Sequence, residues 1–379
     1  MPKAKTTVPF ADLHAQYFSI KAEIDDAIAE VIANSAFIRG PRVEQFEQAF
    51  ADAIGTRHCV SCANGTDALY IAMVALGVKP GDEVIVPAMS WISTSETVTQ
   101  AGGRIVFCDI DPVTYTLDPK RVEEKITSRT VGILPVHLYG HPADMDPIMK
   151  IANRHALWVL EDCAQAHLAE YKGQKVGTFG AAAIFSFYPG KNLGAMGDAG
   201  GIVTDDDALA RSMAMFARHG GLKKGNHEIE GINSRLDGLQ AAILNVKLPH
   251  LPDWTDGRRR VGAMYSSALP RQTELTLPTE HADVFHVWHL YVVQTPQRDK
   301  LAKHLNENGV QTSVNYPRAL PDLPCYAYLG HQKNDFPVSY ELARDGLALP
   351  VFAEMTQAQM EHVTSTVREF TQAHRRDES

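Results

Sequence analysis

Lys191 is the residue in this chain with the most chemistry to offer. It stands in Ser186-Phe-Tyr-Pro-Gly-Lys191-Asn-Leu-Gly-Ala-Met-Gly197, a loop of glycine and aromatic residues that follows an apolar run. A lysine held in a buried loop loses its hydration, and its amine becomes nucleophilic; an isolated loop lysine is otherwise solvated. Asp162, in Glu161-Asp-Cys-Ala-Gln165, offers a carboxylate at a sheet edge with Gln165 one helical turn onward, or else caps a helix. Asn64-Gly-Thr-Asp67 opens a helix whose free N–H groups suit a phosphate, or is a plain helix start capped by Asn64 or Thr66. Trp91, in Ser90-Trp-Ile-Ser-Thr94, either packs in the core or stacks on a flat ligand.

Singly each bland reading stands, but the four follow successive apolar runs of one predicted sheet. Together they supply an amine, a carboxylate, a phosphate cradle and an aromatic face. Pyridoxal phosphate requires that set: the lysine forms a Schiff base, the acid keeps the pyridine nitrogen protonated, and the helix start holds the phosphate. Neither G-x-G-x-x-G nor a Walker A motif can be written through these segments, since Phe185 stands where the latter needs glycine. NAD and ATP readings lose their usual support.

The elements that must position these residues are legible as apolar β-rich runs at 59–62, 83–86, 104–108, 131–136, 157–160, 182–187 and 201–204, alternating with helical patterns such as 67–75 and 144–155. Most runs are continuous, which describes strands buried on both faces of a largely parallel sheet. Ligands bind outside the carboxyl ends of such strands. Residues 1–250 are therefore expected to form a large α/β domain, and 251–379 a smaller α+β domain. The boundary falls where 248–253 interrupts the helical segment 236–247. Beyond it, 258–268 reads as a helix, 287–294 as a strand, 298–308 as a helix and 317–324 as a surface loop.

The 379 residues carry 36 basic and 45 acidic side chains, a net charge of -9 that argues against nucleic acid or an anionic membrane as partner. With no apolar leader at 1–18 and no run long enough to span a bilayer, the expected location is cytoplasmic. The five cysteines read as free thiols of a reducing compartment. Cys59-x-x-Cys62 lies on a predicted strand without a second pair, and His137-x3-His141 runs from a strand into a turn, so no metal site is expected. His167 either lines the site or is a buried structural histidine.

The combination of Asn64-Gly-Thr-Asp-Ala-Leu69, Glu161-Asp-Cys-Ala-Gln165, Phe185-Ser-Phe187 with Pro189-Gly-Lys-Asn-Leu193, and Asn233-Ser-Arg-Leu-Asp237 with Gln240-Ala-Ala-Ile-Leu244 strongly resembles the pyridoxal-phosphate-dependent sugar aminotransferases of the DegT type. The likeness runs over nearly the whole chain and implies the aminotransferase fold type I. By this resemblance Lys191 carries the cofactor covalently, Asp162 pairs with the ring nitrogen, Gln165 contacts the ring hydroxyl and Trp91 stacks on the ring. Gly65, Thr66 and Ser186 hold the phosphate, and Asn233 reaches it from the neighbouring subunit of a homodimer. Arg235 and Tyr316 are expected at the substrate. The resemblance implies glutamate or glutamine as amino donor and a nucleotide-diphosphate keto sugar as acceptor, aminated at C3. A C4 keto sugar, a cyclitol ketone and a non-catalytic regulator are the alternatives; a dehydratase of the same fold would have histidine in place of Lys191. The chain departs from many relatives at Asn315-Tyr-Pro317, where they have His-Tyr-Pro, and at Arg318-Ala-Leu-Pro321, which bears on sugar specificity.

Overall fold

The structure is a computed structural model and describes residues 6–270 and 274–377; the extreme ends of the two expected domains and residues 271–273 lie outside it. Seven strands form the main sheet: β1 (His58–Cys62), β2 (Glu83–Pro87), β3 (Arg104–Cys108), β4 (Thr130–Ile133), β5 (Trp158–Asp162), β6 (Ala182–Ser186) and β7 (Gly200–Thr204). Their spatial order is β1-β7-β6-β5-β4-β2-β3. Neighbours from β6 to β3 pair in parallel, and β7 alone runs against both β6 and β1. All residues of β2, β6 and β7 are buried, as their continuous apolar runs require.

Because β7 runs opposite to the strands on either side of it, β1 points the same way as β6. The carboxyl ends of β1, β2, β5 and β6 therefore share one edge, and the residues that follow them converge there. The sequence does not distinguish β7, since a buried antiparallel strand is as continuously apolar as a buried parallel one. The expected strand 131–136 ends at Ile133; Pro135 has no N–H to continue the ladder.

After the sheet, the Gly238–Lys247 helix passes through a 3-10 turn at Leu248–His250 straight into the Leu251–Ala268 helix. The expected interruption is thus one tight turn, and the second helix starts at Leu251 because Pro252 fits its first turn, where an N–H has no partner. Strands β8 (Tyr291–Gln294) and β9 (Gly346–Leu349) pair antiparallel. With the helices Leu251–Ala268, Arg298–Glu307 and Gln357–Asp377 they enclose a separate apolar core around Tyr265, Tyr291, Leu301, Leu305 and Leu347, joined by Val8.

The 317–324 stretch is not the surface loop expected. Ala319 and Leu320 are buried in the main-sheet core, and the Leu320 N–H donates to the carbonyl of Ala88 beyond β2 at 2.8 Å. Prolines mark the irregular backbone but do not show which surface it lies against. A second tie is Asp109 after β3, which is buried and accepts from the N–H groups of Val338 and Ser339 at 3.0 Å and from the Ser339 hydroxyl at 2.6 Å. Replacing it strands these donors, of which the Ser339 N–H and hydroxyl are buried. Asp109→Ala should lower the unfolding free energy by about 3 kcal/mol in denaturant titration, while a loss under about 0.5 kcal/mol would mean water replaces the carboxylate.

Candidate active site

At the shared strand edge lies a cavity of about 730 Å³ whose walls include Asn64, Gly65, Thr66, Trp91, Asp162, Gln165, Ser186, Lys191 and Tyr316. Every cofactor residue expected from the sequence is here except Asn233, and of the two expected substrate residues Tyr316 is here and Arg235 is not.

One end of the cavity is the start of the Gly65–Ala75 helix. Asn64 caps it, its side-chain oxygen accepting from the N–H of Asp67 at 2.8 Å. Capping uses that one donor; among the described residues the N–H groups of Gly65 and Thr66 have no acceptor, so they face the cavity side as free donors at the positive end of the helix. Capping and anion binding are therefore compatible here, which the sequence alone presented as alternatives. Two glycines make the geometry possible. A Cβ on Gly65 would lie 2.8 Å from the Cβ of Ser186, and one on Gly200 would lie 2.3 Å from the carbonyl oxygen of Asn64. Ser186 accepts from the Tyr188 N–H at 3.3 Å, which leaves its own hydroxyl hydrogen free to donate.

Asp162 ends β5 and is almost fully buried. No helix follows it: residues 163–169 are turns, which corrects the expectation that Gln165 sits one helical turn onward and removes the helix-capping role. Its oxygens accept from the Ala164 N–H at 3.1 Å and the Thr94 hydroxyl at 3.2 Å. Burial raises its pKa, opposed by those two donors and by the charge of Lys191. Thr94, itself 2.7 Å from the Ser90 hydroxyl, was not singled out from the sequence. A Ser and a Thr four apart, just after the apolar run 83–86, were the available signal.

Lys191 is partly exposed to the cavity, and burial pulls its pKa down to about 8, with the nearby Asp162 carboxylate opposing. Among the described residues it has no ion pair, so its amine is held near Asp162 without being locked to it. The competing reading of a freely solvated lysine does not fit this placement.

Gln165 is fixed at both ends of its amide. Its oxygen accepts from the N–H of Tyr139 at 2.6 Å, a residue with the left-handed φ of 61°, and its nitrogen donates to the Tyr316 hydroxyl at 3.0 Å. The Tyr139 hydroxyl in turn donates to the Asn315 carbonyl. Trp91 is 57% exposed, so it is not core packing; its ring lies 5.5 Å from that of Tyr316 at the cavity mouth.

Asn233 and Arg235 flank Ser234, which is buried. The Ser234 hydroxyl accepts from the N–H of Ala63 at 3.0 Å and donates to Asp67 at 2.7 Å. This pins the segment beside the helix start, while Asn233 stays exposed and outside its own cavity. Asn233 does not cap the following helix, which begins at Gly238 with Asp237 in the cap position.

Beneath the site His137, Glu161 and Cys163 come together, and the protein already engages the polar atoms of His137 and Glu161. Glu161 accepts from the N–H groups of Gly177, Phe179 and Gly180 at 2.8–2.9 Å, and His137 lies between Glu161 at 3.1 Å and the Ala143 N–H at 2.9 Å. His137 and Glu161 are a hydrogen-bonded support for β5. His167 does not line the cavity; it is buried against Phe185 and Phe187, and burial pulls its pKa down to about 3.

The description of the family model that matches residues 18–368 is the DegT/DnrJ/EryC1/StrS aminotransferase family. The chain is 44% identical over 361 residues to the erythromycin biosynthesis sensory transduction protein EryC1 of Saccharopolyspora erythraea, covering 95% of this chain and 99% of that protein. It is 42% identical over 365 residues to the dTDP-3-amino-3,4,6-trideoxy-alpha-D-glucose transaminase of Streptomyces venezuelae, covering 96% of each. The crystal structure of S. venezuelae DesV in complex with a ketimine intermediate has a TM-score of 0.94 at 43% identity, covering 96% of this chain and 98% of that one.

The depressed pKa of Lys191 gives a direct expectation for the cofactor-free protein. An amine-reactive label followed by peptide mass mapping should modify Lys191 with a pH midpoint of about 8, ahead of surface lysines whose midpoint is about 10.4. A Lys191 midpoint indistinguishable from the surface lysines would mean that the cavity is wet enough to hydrate the ammonium.

Proposed function

We propose, from the premise that this chain belongs to the DegT/DnrJ/EryC1/StrS aminotransferase family, that it moves an amino group from glutamate or glutamine to C3 of a nucleotide-diphosphate keto sugar. It is a pyridoxal-phosphate-dependent sugar aminotransferase; the donor, the ring carbon and the residue roles are our reading. The observation that carries it is a buried carboxylate and a desolvated amine facing one cavity that ends on free helix N–H groups.

These residues fit the cofactor. The helix start at Gly65 and Thr66, with the Ser186 hydroxyl, would hold its phosphate, Trp91 its ring face, Gln165 its ring hydroxyl and Asp162 its ring nitrogen. When bound, pyridoxal phosphate supplies an electron sink for the carbon that loses its proton. The protein does the rest. Asp162, kept dry and oriented by Thr94 and Ala164, holds a proton on the ring nitrogen. Lys191, once its amine is neutral, would take the proton from the substrate carbon, hold it as the ammonium and give it up to the cofactor carbon, which burial favours by lowering its pKa. Tyr316 and Arg235 would contact the substrate, and Asn233 would reach the phosphate of a partner subunit in a homodimer.

The name of the S. venezuelae transaminase, a 3-amino sugar enzyme, supports C3. Division into 1–250 and 251–379 belongs to the same proposal, supported by the separate core around Tyr265 and Leu305. So does a cytoplasmic location; among the described residues no helix is long and apolar enough to cross a membrane. The relative with a regulatory name keeps one other reading in view, a regulator without turnover.

One assay separates these readings. Holoenzyme given glutamate or glutamine and a panel of nucleotide-linked 3-keto and 4-keto sugars should yield a 3-amino sugar by mass spectrometry and NMR, and Asp162→Asn should lower turnover by about a hundredfold or more. Amination of a 4-keto sugar or a cyclitol ketone alone would overturn the C3 assignment, and no amino transfer at all would favour the regulator. Asn233 is tested by mixing inactive Lys191→Ala and Asn233→Ala proteins. Hybrid dimers should regain activity, because one of their two sites carries neither lesion. Verified hybrids without recovery would return Asn233 to its own subunit.

A further inference from the structure

Among the described residues Lys191 makes no hydrogen bond that would fix its amine, so the direction of its side chain depends on the loop beneath it. That loop is conformationally permissive, with Gly190 before the lysine and Gly194 after it. The residue between Lys191 and Leu193 anchors it to a distant part of the chain. Asn192 is buried; its side-chain nitrogen donates to the carbonyl of Val287 at 3.1 Å, and its oxygen lies 3.1 Å from Nδ1 of His289.

With the amide nitrogen turned to a carbonyl, the amide oxygen faces His289, so Nδ1 of the ring is the donor. Burial, together with the charges of Lys191 and Arg258 and the neighbouring His167, holds the His289 pKa well below the ordinary histidine value. The ring is therefore neutral at physiological pH and keeps this donor arrangement. The backbone of the same segment is clamped in turn. Arg258, buried on the Leu251–Ala268 helix, donates to the carbonyls of Trp288, His289 and Val351 at 3.2, 3.3 and 2.9 Å. One residue further on, the Leu290 N–H donates to the carbonyl of Tyr139 at 3.2 Å, and the Tyr139 N–H is the one that fixes Gln165. Residues 287–290 thus grip the neighbour of Lys191 on one side and the support of Gln165 on the other.

We propose that Asn192 and His289 are a positioning pair for Lys191: their hydrogen bond, with the one from Asn192 to Val287, orients the Lys191 amine in the cavity and makes it depend on how segment 287–290 is seated. This rests on Lys191 being the reacting amine. His289 itself touches neither substrate nor cofactor in this account; it acts through Asn192.

The test uses cofactor-free protein, so that it reads the amine whether or not Lys191 later carries the cofactor. Lys191 is labelled with trinitrobenzenesulfonate across pH and mapped by mass spectrometry in His289→Ala, Asn192→Ala, the double variant and His289→Gln, which keeps a side-chain donor. The titratable neighbours bearing on Lys191 are Asp162, His167 and His289, and only the last is altered. Each alanine variant should slow labelling of Lys191 at pH 8 by about fivefold as the freed amine regains hydration, the double should match the singles, and His289→Gln should recover most of the rate. In the holoenzyme kcat should fall by about tenfold with donor KM within about twofold. His289→Leu, which fills the space without a donor, stands in if truncation unfolds the protein. Unchanged Lys191 labelling in folded His289 variants, or additive effects in the double, would overturn the proposal; absence of amino transfer by the unaltered protein would instead strike the functional reading alone.

Discussion

The rest of the structure depends on keeping an amine and a carboxylate in one cavity without letting them pair. Had Lys191 and Asp162 formed a buried ion pair, each would be held in its charged form and the amine would be useless as a nucleophile or base. Here Asp162 is turned to Thr94 and the Ala164 N–H instead. Lys191 feels the carboxylate only through space, and desolvation wins, bringing its pKa to about 8. The sheet makes this possible. Asp162 stands at the end of β5 directly beside β6, paired with Ile184, while Lys191 returns to the same edge only after the chain has passed through the loop beyond Ser186.

A second constraint is distance of approach. The helix start at Gly65 must come close to the end of β6 if its free N–H groups and the Ser186 hydroxyl are to serve one anion, and Gly65 and Gly200 are the positions where a side chain would block this. Ser234 closes the arrangement from a distant part of the chain by bonding Ala63 and Asp67. Its two neighbours, Asn233 and Arg235, are thereby held near the helix start but outside the cavity.

What the sequence disclosed follows from locality. Asp162 and Ser186 end their strands, and Lys191, Gly65, Thr66, Trp91 and Gln165 follow theirs within a few residues; strands buried on both faces announce themselves as apolar runs. Direction, by contrast, is a property of pairing, so the antiparallel course of β7 was invisible, as was the burial of Leu320 against β2. The turn at 163–169 defeated the helix expectation because Cys-Ala-Gln-Ala is as good a helix start as a turn when read alone. The supports were the least legible. Thr94, Ser234, Asn192 and His289 are ordinary polar residues until partners up to 171 positions away show that each holds a residue of the site. Arg258, the first residue of the expected helix 258–268, is buried and clamps three carbonyls.

The central claim is that Lys191 is the amine through which this cavity holds pyridoxal phosphate. The most direct measurement is borohydride reduction of the holoenzyme followed by peptide mapping. The account predicts that the reduced cofactor is recovered on the peptide bearing Lys191 and that Lys191→Ala recovers none. Cofactor fixed to another lysine, such as the buried Lys247 that donates to the Gly194 carbonyl at 2.8 Å, would contradict it.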